Sequence, residues 1–323
     1  MPVVPIILPP PHLRIALLAK VRRGLGGEGG GGDESSEDDG SSSTSVNRCS
    51  PKAVYVVVSK FNEYKKECVR EMGFDGILDL PLISKVNMKF SSWLLTKLDT
   101  EESSLVISEN RRIYVHEKDV GIVFGILCSD LDIASTEITE EQIEHIKVQC
   151  CLSGTRSFRS LEHVLAKHID DKSSKHEVHR FKVAFVIFFM GHLLASSAKH
   201  DCGRIDFWGA LKDPNLIDRF NWCRFVQTLV LELAQRARAE MIAKGRVTSL
   251  SGCHLFILIL FLDYIELRGL SKSHNSLPRI KAFDQESIRR MTTSYASRGE
   301  QDFTCFVGVN TPPCSVCLYE TQF

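Results

Sequence analysis

Two stretches in the second half of the chain decide the fold. The first reads Arg219-Phe220-Asn221-Trp222-Cys223-Arg224-Phe225-Val226, and the second begins at Gly252-Cys253 and ends Phe261-Leu262-Asp263-Tyr264 after a run of apolar residues. Apolar residues recur at helical spacing after the first stretch, and the second is apolar almost all round. Both patterns are typical of helices that are buried in a protein core.

The ends of these two helices can be predicted from their flanking residues. Asp213-Pro214 offers a cap residue followed by a first-turn proline, so we predict that the first helix begins there. Lys244-Gly245 is a typical helix end. The second helix is introduced by Ser251-Gly252 and ended by Gly269.

Most of the remaining chain also has helical spacing. Asn87 is placed as a helix cap, Thr139 to Gln142 has the spacing of a capping box, and Phe181 to Ala195 is apolar enough to lie at the centre. Two β-prone runs, at residues 105–107 and 113–115, predict a hairpin. The expected fold class is therefore mainly α, a multi-helix bundle with one small β-hairpin and a disordered N-terminal tail.

Composition limits both the domain organisation and the location. The chain has 323 residues and is 43% hydrophobic, which is enough for a large core, and residues 24–50 are almost all Gly, Ser or acidic. We predict a disordered tail over 1–51, a helical domain over 52–290 and an irregular tail over 291–323. The 11 cysteines are scattered, as in a reducing compartment. The first 23 residues invert the order of a secretory signal, but a transit peptide stays open.

The balance of charged residues excludes an overall positive electrostatic field. Lys plus Arg and Asp plus Glu both number 40, so any nucleic-acid contact requires a local patch. The longest apolar runs are shorter than the roughly 18–20 residues of a membrane span. We therefore expect no membrane contact.

The two opening stretches resemble the plant mobile domain, a helical module of transposon-derived plant genes. Three further segments occur in the order that such domains show: Trp93-Leu94-Leu95, residues 113–126 and Pro278-Arg279-Ile280. The resemblance therefore covers about residues 59–290. The residues that carry its core are Asn221, Trp222, Cys223, Phe225, Gly252, Cys253 and Asp263. One departure is Gly125-Ile126-Leu127-Cys128, where such domains have a proline soon after the glycine, so the turn there is expected to differ.

The resemblance implies an "aminotransferase-like" label and a neighbouring cysteine protease, but the residues support neither activity. Asp201-Cys202-Gly203 matches the triplet around the nucleophile of that protease, yet Ser196 replaces its oxyanion glutamine and the His-Trp pair is absent. No glycine-rich phosphate loop follows a strand. We expect no catalytic residue, no cofactor and no small-molecule substrate.

Few cysteines and histidines occur at the spacing of a metal site. Cys314 and Cys317 form one pair, but only Cys305 lies near, and structural zinc needs four ligands. His176 and His179 are one residue short of a His-Glu-x-x-His motif, which favours a solvated helix start. No metal site is predicted.

Three polar residues lie inside apolar helices: His192, His254 and Asp263. A buried carboxylate is costly without a partner, so Asp263 should have one, for which Arg268 or a Trp indole could serve. We favour satisfied core groups over a functional pocket. The same structural interpretation applies to Asn221 and Trp222.

Two functions remain open. The first is a non-enzymatic helical interaction module of plant-mobile-domain type that acts in the nucleus through protein partners; cytoplasm or an organelle is not excluded. It predicts an exposed apolar or mixed groove. The second is nucleic-acid binding through a local basic patch, whose candidate contacts are Arg236, Arg238, Lys244, Arg246, Arg279 and Lys281. Solvated helix ends would explain the same residues, because cations are favoured there by the helix dipole.

Overall fold

Ten α-helices make up about half of the part of the chain that the computed structural model describes, which is residues 46–47, 49–108, 110–152, 158–196, 205–267 and 269–297. In chain order they are α1 Pro51–Val58, α2 Glu63–Glu71, α3 Met88–Lys97, α4 Glu117–Phe124, α5 Glu140–Gln149, α6 Phe158–Ala166, α7 Lys175–Phe189, α8 Trp222–Lys244, α9 His254–Tyr264 and α10 Gln285–Ser297. The predicted mainly α class is confirmed. The described residues exclude parts of the two predicted tails, 1–45 of the tail 1–51 and 298–323 of the tail 291–323. They also exclude Cys202 and, within the second tail, Cys305, Cys314 and Cys317.

The strands are short. They are β1 Val46–Asn47, β2 Leu98–Asp99, β3 Ser104–Ser108, β4 Arg111–Tyr114 and β5 Ser249–Leu250. The predicted hairpin is confirmed as the antiparallel pair β3–β4, with Leu105 opposite Ile113. The structure adds two pairings that the sequence did not predict: β2 joins β3, and β1 runs parallel to β5.

Helix starts follow the predicted caps. The Asn87 side chain accepts a hydrogen bond from the backbone N–H of Phe90 at 3.1 Å and begins α3. Thr139 and Gln142 form a reciprocal capping box at α5. In each case a side chain satisfies a backbone donor that the first helical turn leaves without a partner. None of the described helices has the length and apolar character to cross a membrane.

The long helix α8 begins later than predicted. Its cap is Asn221 instead of Asp213, because Asp213 accepts a hydrogen bond from Asn215 N–H at 2.9 Å within a turn. The backbone N–H of Asn221 then donates to Leu131 O at 2.7 Å, which holds the chain extended just before the helix. The predicted end is confirmed, since Gly245 caps the helix with φ +68°.

Buried residues and secondary structure also lie outside the predicted helical domain, 52–290. Cys49, within the predicted tail, is buried, and Val46–Asn47 pairs with β5. At the other end α10 continues to Ser297, and Met291 and Tyr295 are buried. The Tyr295 ring meets the Phe261 ring edge-on at 4.8 Å between centroids, so the aromatic core extends past residue 290.

The centre of the core consists of α7 and α9, as their apolar sequences predict. Residues 181–189 of α7 are all buried, and so are residues 254–262 of α9. After Phe189, residues Met190–Leu194 continue as a π-helical turn. π-Helical turns inside or at the end of α-helices are frequent near functional sites.

Two glycines allow the N-terminal helices to touch α4 directly. A Cβ on Gly76 would lie 2.3 Å from Phe124 O and 2.5 Å from Gly125 Cα, both backbone atoms that cannot move aside cheaply. Gly125 ends α4 with φ +63°, and its carbonyl accepts a hydrogen bond from Gly76 N–H at 3.1 Å. The turn after Gly125 forms without a proline, and Leu127 N–H donates to Gly73 O at 2.8 Å.

Gly76→Ala is expected to lower the free energy of unfolding by about 3 kcal/mol, because the methyl group would force two backbones apart. The control is Gly269→Ala, where nothing lies within 4 Å and only the positive φ of 70° is strained, with an expected loss of about 1 kcal/mol. Urea unfolding measures both losses. Equal losses would show that the glycine contact is not close-packed.

Candidate functional site

Two of the motif residues quoted from the sequence, Asn221 and Trp222, make buried structural contacts. Asn221 is buried, and its side chain accepts a hydrogen bond from Arg224 N–H at 2.8 Å to cap α8. Trp222 is also buried, and its indole N–H donates to Ile217 O at 2.8 Å. These two contacts give both residues a structural role.

The other predicted core residues also serve packing. Cys223 and Cys253 are buried, and Phe225 is partly buried with its ring centroid 6.0 Å from that of Phe207. Gly252 has φ +103°, and its N–H donates to Ser196 Oγ at 2.7 Å. This bond fixes the entry to α9.

Asp263 has the partner that its burial requires. Arg279 Nε donates to both carboxylate oxygens, at 3.1 and 2.9 Å, and Arg279 Nη2 donates to Oδ1 at 2.5 Å. The predicted candidates, Arg268 and a Trp indole, are not that partner; Arg268 itself lies outside the described residues. Arg279 also donates to the carbonyls of Ser273 and Ser276, so its guanidinium closes the loop after α9.

This arrangement overturns part of the predicted nucleic-acid surface. The Arg279 side chain is only 2% exposed and cannot reach a phosphate. Arg238 donates to Thr96 O at 3.3 Å and to Leu98 O, so it caps the end of α3. Lys281 pairs with Asp79 at 3.1 Å. Of the six predicted contacts, Arg236, Lys244 and Arg246 remain exposed without a hydrogen bond or ion pair among the described residues.

Asp263→Asn is expected to lower the free energy of unfolding by about 3–5 kcal/mol, because it leaves the buried Arg279 guanidinium without a counter-charge. Lys281→Ala removes a half-exposed pair and should cost less than about 1 kcal/mol. Chemical denaturation of both variants tests the contrast. A small loss for Asp263→Asn would mean that the buried pair contributes little.

A cleft with a volume of about 660 Å³ lies between α1 and α6. Its apolar surface comes from both helices and from Phe61, and its rim is basic: the lining contains Lys52, Lys60, Lys65 and Arg159 but a single carboxylate, Glu162. Of these cations, only Lys65 is buried. The cleft thus combines an apolar wall with positive charge.

Lys65 is the unusual residue of this cleft. It is 5% exposed, and its Nζ donates to Leu165 O at 2.7 Å and lies 5.5 Å from the Phe61 ring centroid. In the described part of the chain no carboxylate forms an ion pair with it, and burial lowers its pKa. A buried cation without a counter-ion is costly, and a cleft is where a ligand could supply the missing charge.

Sequence reasoning missed Lys65, although a signal was present. It lies four residues after Phe61 and three before Cys68, two apolar residues to which it stands at helical spacing. A lysine on an apolar face is a candidate buried cation. What the sequence did not contain was the position of α6, a hundred residues later, which covers it.

His192 lies in the π-helical turn beside this cleft. Its carbonyl accepts a hydrogen bond from the backbone N–H of Ser50, a cleft residue, at 2.7 Å. Its ring packs between Phe158 and Phe188, with centroids 4.4 and 4.5 Å away, and its Nε2 has no hydrogen-bond partner. The prediction that His192 is a core residue with its hydrogen bonds satisfied is therefore wrong for Nε2. Burial lowers the pKa of His192 to about 4.

The pH dependence of stability should follow from this histidine and from His254, whose pKa is also lowered to about 4 by burial. The unfolded chain binds these protons near pH 6.5, so stability is complete above that pH and falls between pH 6.5 and 4. A pKa that differs by one between the folded and the unfolded chain changes the free energy of unfolding by about 1.4 kcal/mol. The parent chain loses stability over this window through two histidines, and His192→Leu keeps only His254. The variant should therefore lose roughly half of the histidine-dependent part of the free energy of unfolding between pH 6.5 and 4.

The control for this pH experiment is His145→Leu at an exposed position. Urea midpoints measured from pH 7 to pH 4 should coincide for His145→Leu and the parent chain after normalisation at pH 7. If His192→Leu shows the same pH profile as the parent, the imidazole does not titrate with the lowered pKa.

A second cleft, of about 380 Å³, contains three histidines: His145, His176 and His179. His176 is exposed on the first turn of α7, where Ser174 and Glu177 form a capping box, so the solvated helix start is confirmed. No group of three or more potential ligands in the described part of the chain is placed to hold a metal ion.

Fold and cleft together define a helical domain with a basic, partly apolar groove. Residues 47–258 match the model of a family described as a domain of unknown function, DUF8566. Since the match covers more than half of the chain, the protein belongs to this family. No curated protein and no solved structure matches the chain.

Proposed function

We propose that the protein is a non-enzymatic helical interaction module that binds an acidic segment of a partner protein in the cleft between α1 and α6. The observation that carries this proposal is Lys65, a buried cation at the cleft with no carboxylate paired to it among the described residues. A carboxylate of the partner would supply the missing counter-charge.

The size and lining of the cleft fit a peptide segment. Ligand pockets commonly measure about 300–1,000 Å³, and this cleft falls within that range. Val56 and Val57 on α1 offer apolar contact, and Val56 is 38% exposed. An acidic segment with one or two apolar side chains would use both properties of the cleft.

Charge makes the proposal selective. Four cations and one carboxylate line the cleft, in a chain whose acidic and basic residues balance. Complementary charge accelerates encounter and discriminates against wrong partners. A basic or neutral segment would leave Lys65 uncompensated.

The biological setting rests on the resemblance to the plant mobile domain. That family implies a transposon-derived protein acting in the nucleus, near transposon control, chromatin silencing or genome maintenance. The quoted motif residues form the core around α8 and α9, which is the role expected of residues that define a fold. The cleft is a separate surface on the same helical domain.

Nucleic-acid binding is the second candidate. Arg236, Lys244 and Arg246 remain exposed at the end of α8 and just after it. The helix dipole alone favours cations at this end. Binding through them would weaken steeply with added salt, because phosphate contacts release counterions.

The direct test is a pull-down of the tagged 323-residue chain from plant nuclear extract, with and without nuclease. The cleft variant Lys52→Glu/Lys60→Glu is compared with the control Lys89→Glu/Lys118→Glu, which makes the same charge change at exposed positions outside the cleft. We expect one defined partner that survives nuclease, is retained by the control and is lost from the cleft variant. Recovery that depends on nucleic acid and is lost with Arg236→Glu/Lys244→Glu/Arg246→Glu would favour the second candidate instead.

Lys65→Met is expected to weaken binding of that partner at least tenfold, because the partner carboxylate loses its buried counter-charge. Stability should stay within about 1 kcal/mol of the parent, since replacing a buried charge by an apolar side chain is often neutral or stabilising. Lys66→Met, which breaks only the exposed pair with Glu63, is the matched control. Titration calorimetry with the purified partner and urea unfolding give the two readouts; equal affinities for both variants would contradict the proposal.

A further inference from the structure

Two exposed helix faces border the cleft between α1 and α6. On α1 and the turn after it, the lining residues Lys52, Val56 and Lys60 recur every four residues and are exposed. On α6 the exposed lining residues Arg159 and His163 are also four residues apart. Residues at this spacing lie on one face of a helix, so each wall of the cleft is a helix surface.

The α1 wall has a charged, apolar, charged order. Val56 lies midway between Lys52 and Lys60, and Lys60 N–H donates to Val57 O at 3.2 Å, so the helical turn continues to Lys60. Eight residues of helix span roughly 12 Å. Val56 is 38% exposed, and neither lysine side chain has a hydrogen bond or ion pair within the described residues. This wall therefore offers a ligand two cations with an apolar contact between them.

The end of the cleft at Lys60 has a second lysine close by. Lys65 Nζ lies 5.5 Å from the ring centroid of Phe61, the residue after Lys60, and it donates to Leu165 O in the last turn of α6. Phe61 and Lys65 are both buried, so they form the floor of the cleft here. An acidic group bound at this end lies near two lysines.

We propose that the acidic partner segment binds in this cleft as an amphipathic helix, with acidic residues at positions i and i+7 and apolar residues at i+3 and i+4. This inference rests on the proposed function, because it assigns a conformation and a residue pattern to the same ligand. Those four positions lie on one face of a helix, and the two acids are roughly 10 Å apart along it. That separation is close to the one between Lys52 and Lys60, and it places the apolar pair against Val56 and Val57.

A helical ligand fits these walls better than an extended one. The groove between two helix surfaces accepts the side-chain ridge of a third helix, and grooves of this kind bind amphipathic helices through anchors at i, i+3, i+4 and i+7. An extended segment gains its affinity mainly from main-chain hydrogen bonds to the edge of a sheet. None of the described strands contributes to the lining of this cleft.

The test is the binding of three synthetic peptides to the 323-residue chain. The matched peptide, about 18 residues long so that it can form a helix, contains Glu-x-x-Leu-Leu-x-x-Glu in a background of Ala and Gln. The shifted peptide has the same composition, but its second glutamate is moved by two residues to the opposite helix face. The extended peptide contains Glu-Pro-Leu-Pro-Glu, in which the prolines exclude a helix and the acids stay roughly 13 Å apart. Fluorescence anisotropy gives the three dissociation constants.

We expect the matched peptide to bind at least tenfold more tightly than the other two, and Lys65→Met or Lys52→Glu/Lys60→Glu to weaken it at least tenfold. If the shifted peptide binds equally well or the extended peptide binds more tightly, with the same dependence on Lys65, the helical pattern is overturned and the acidic-segment function stands. If no peptide binds, or if binding is unchanged in Lys65→Met, both are overturned.

A charge swap tests the register of the helix. Lys52→Glu should weaken the matched peptide, and exchanging one peptide glutamate for lysine should restore binding at one of the two ends only, which gives the direction of the helix. Val56→Ser should weaken the matched peptide about fivefold through lost apolar contact. The control Val148→Ser, at a 70% exposed position of α5 outside the cleft, should not. Equal effects of the two valine variants, or a swap that restores binding at neither end, would overturn the proposed register.

Discussion

The buried ion pair between Asp263 and Arg279 is the interaction on which the other contacts depend. It fixes the segment after α9, and that segment brings Pro278 against Gly125, where a Cβ would lie only 3.2 Å away. Gly125 in turn touches Gly76, which attaches the N-terminal helices to α4. A single charge pair at the end of α9 therefore positions elements that are two hundred residues apart in sequence. Since both partners are buried, each exists in the core only because the other does.

Local sequence predicted what local forces determine. Correctly predicted features depend on residues that lie close together in sequence. They are the caps at Asn87 and Thr139, the β3–β4 hairpin and the helix end at Gly245. The predicted start of α8 was wrong because a distant strand-like contact, from Asn221 N–H to Leu131 O, holds the preceding residues extended. A good local cap at Asp213 was thus overridden by a bond from Asn221 to a residue ninety positions earlier, Leu131.

The candidate site could not be predicted from local sequence either, because it also depends on contacts between residues far apart in the chain. The cleft joins residues 50–65 to residues 159–166, and no periodicity in either stretch indicates the other. The predicted burial of Asp263 implied that it has a partner but did not identify that partner. The choice among nearby arginines depends on how the loop after α9 folds back. Arg238 and Arg279 resemble basic surface residues in the sequence, whereas carbonyls and a carboxylate occupy their donors in the fold. Charge in a sequence does not distinguish a phosphate contact from a structural one.

The aromatic cluster at the end of the chain shows that the unit of sequence similarity is smaller than the unit of folding. The family match ends at residue 258, in the middle of α9, whereas Phe261 and Tyr295 beyond it cover Phe90 and Trp93 within it. A fragment cut at the matched boundary would present those two rings to water and lose both members of the buried ion pair. Recombinant fragments should therefore extend through residue 297.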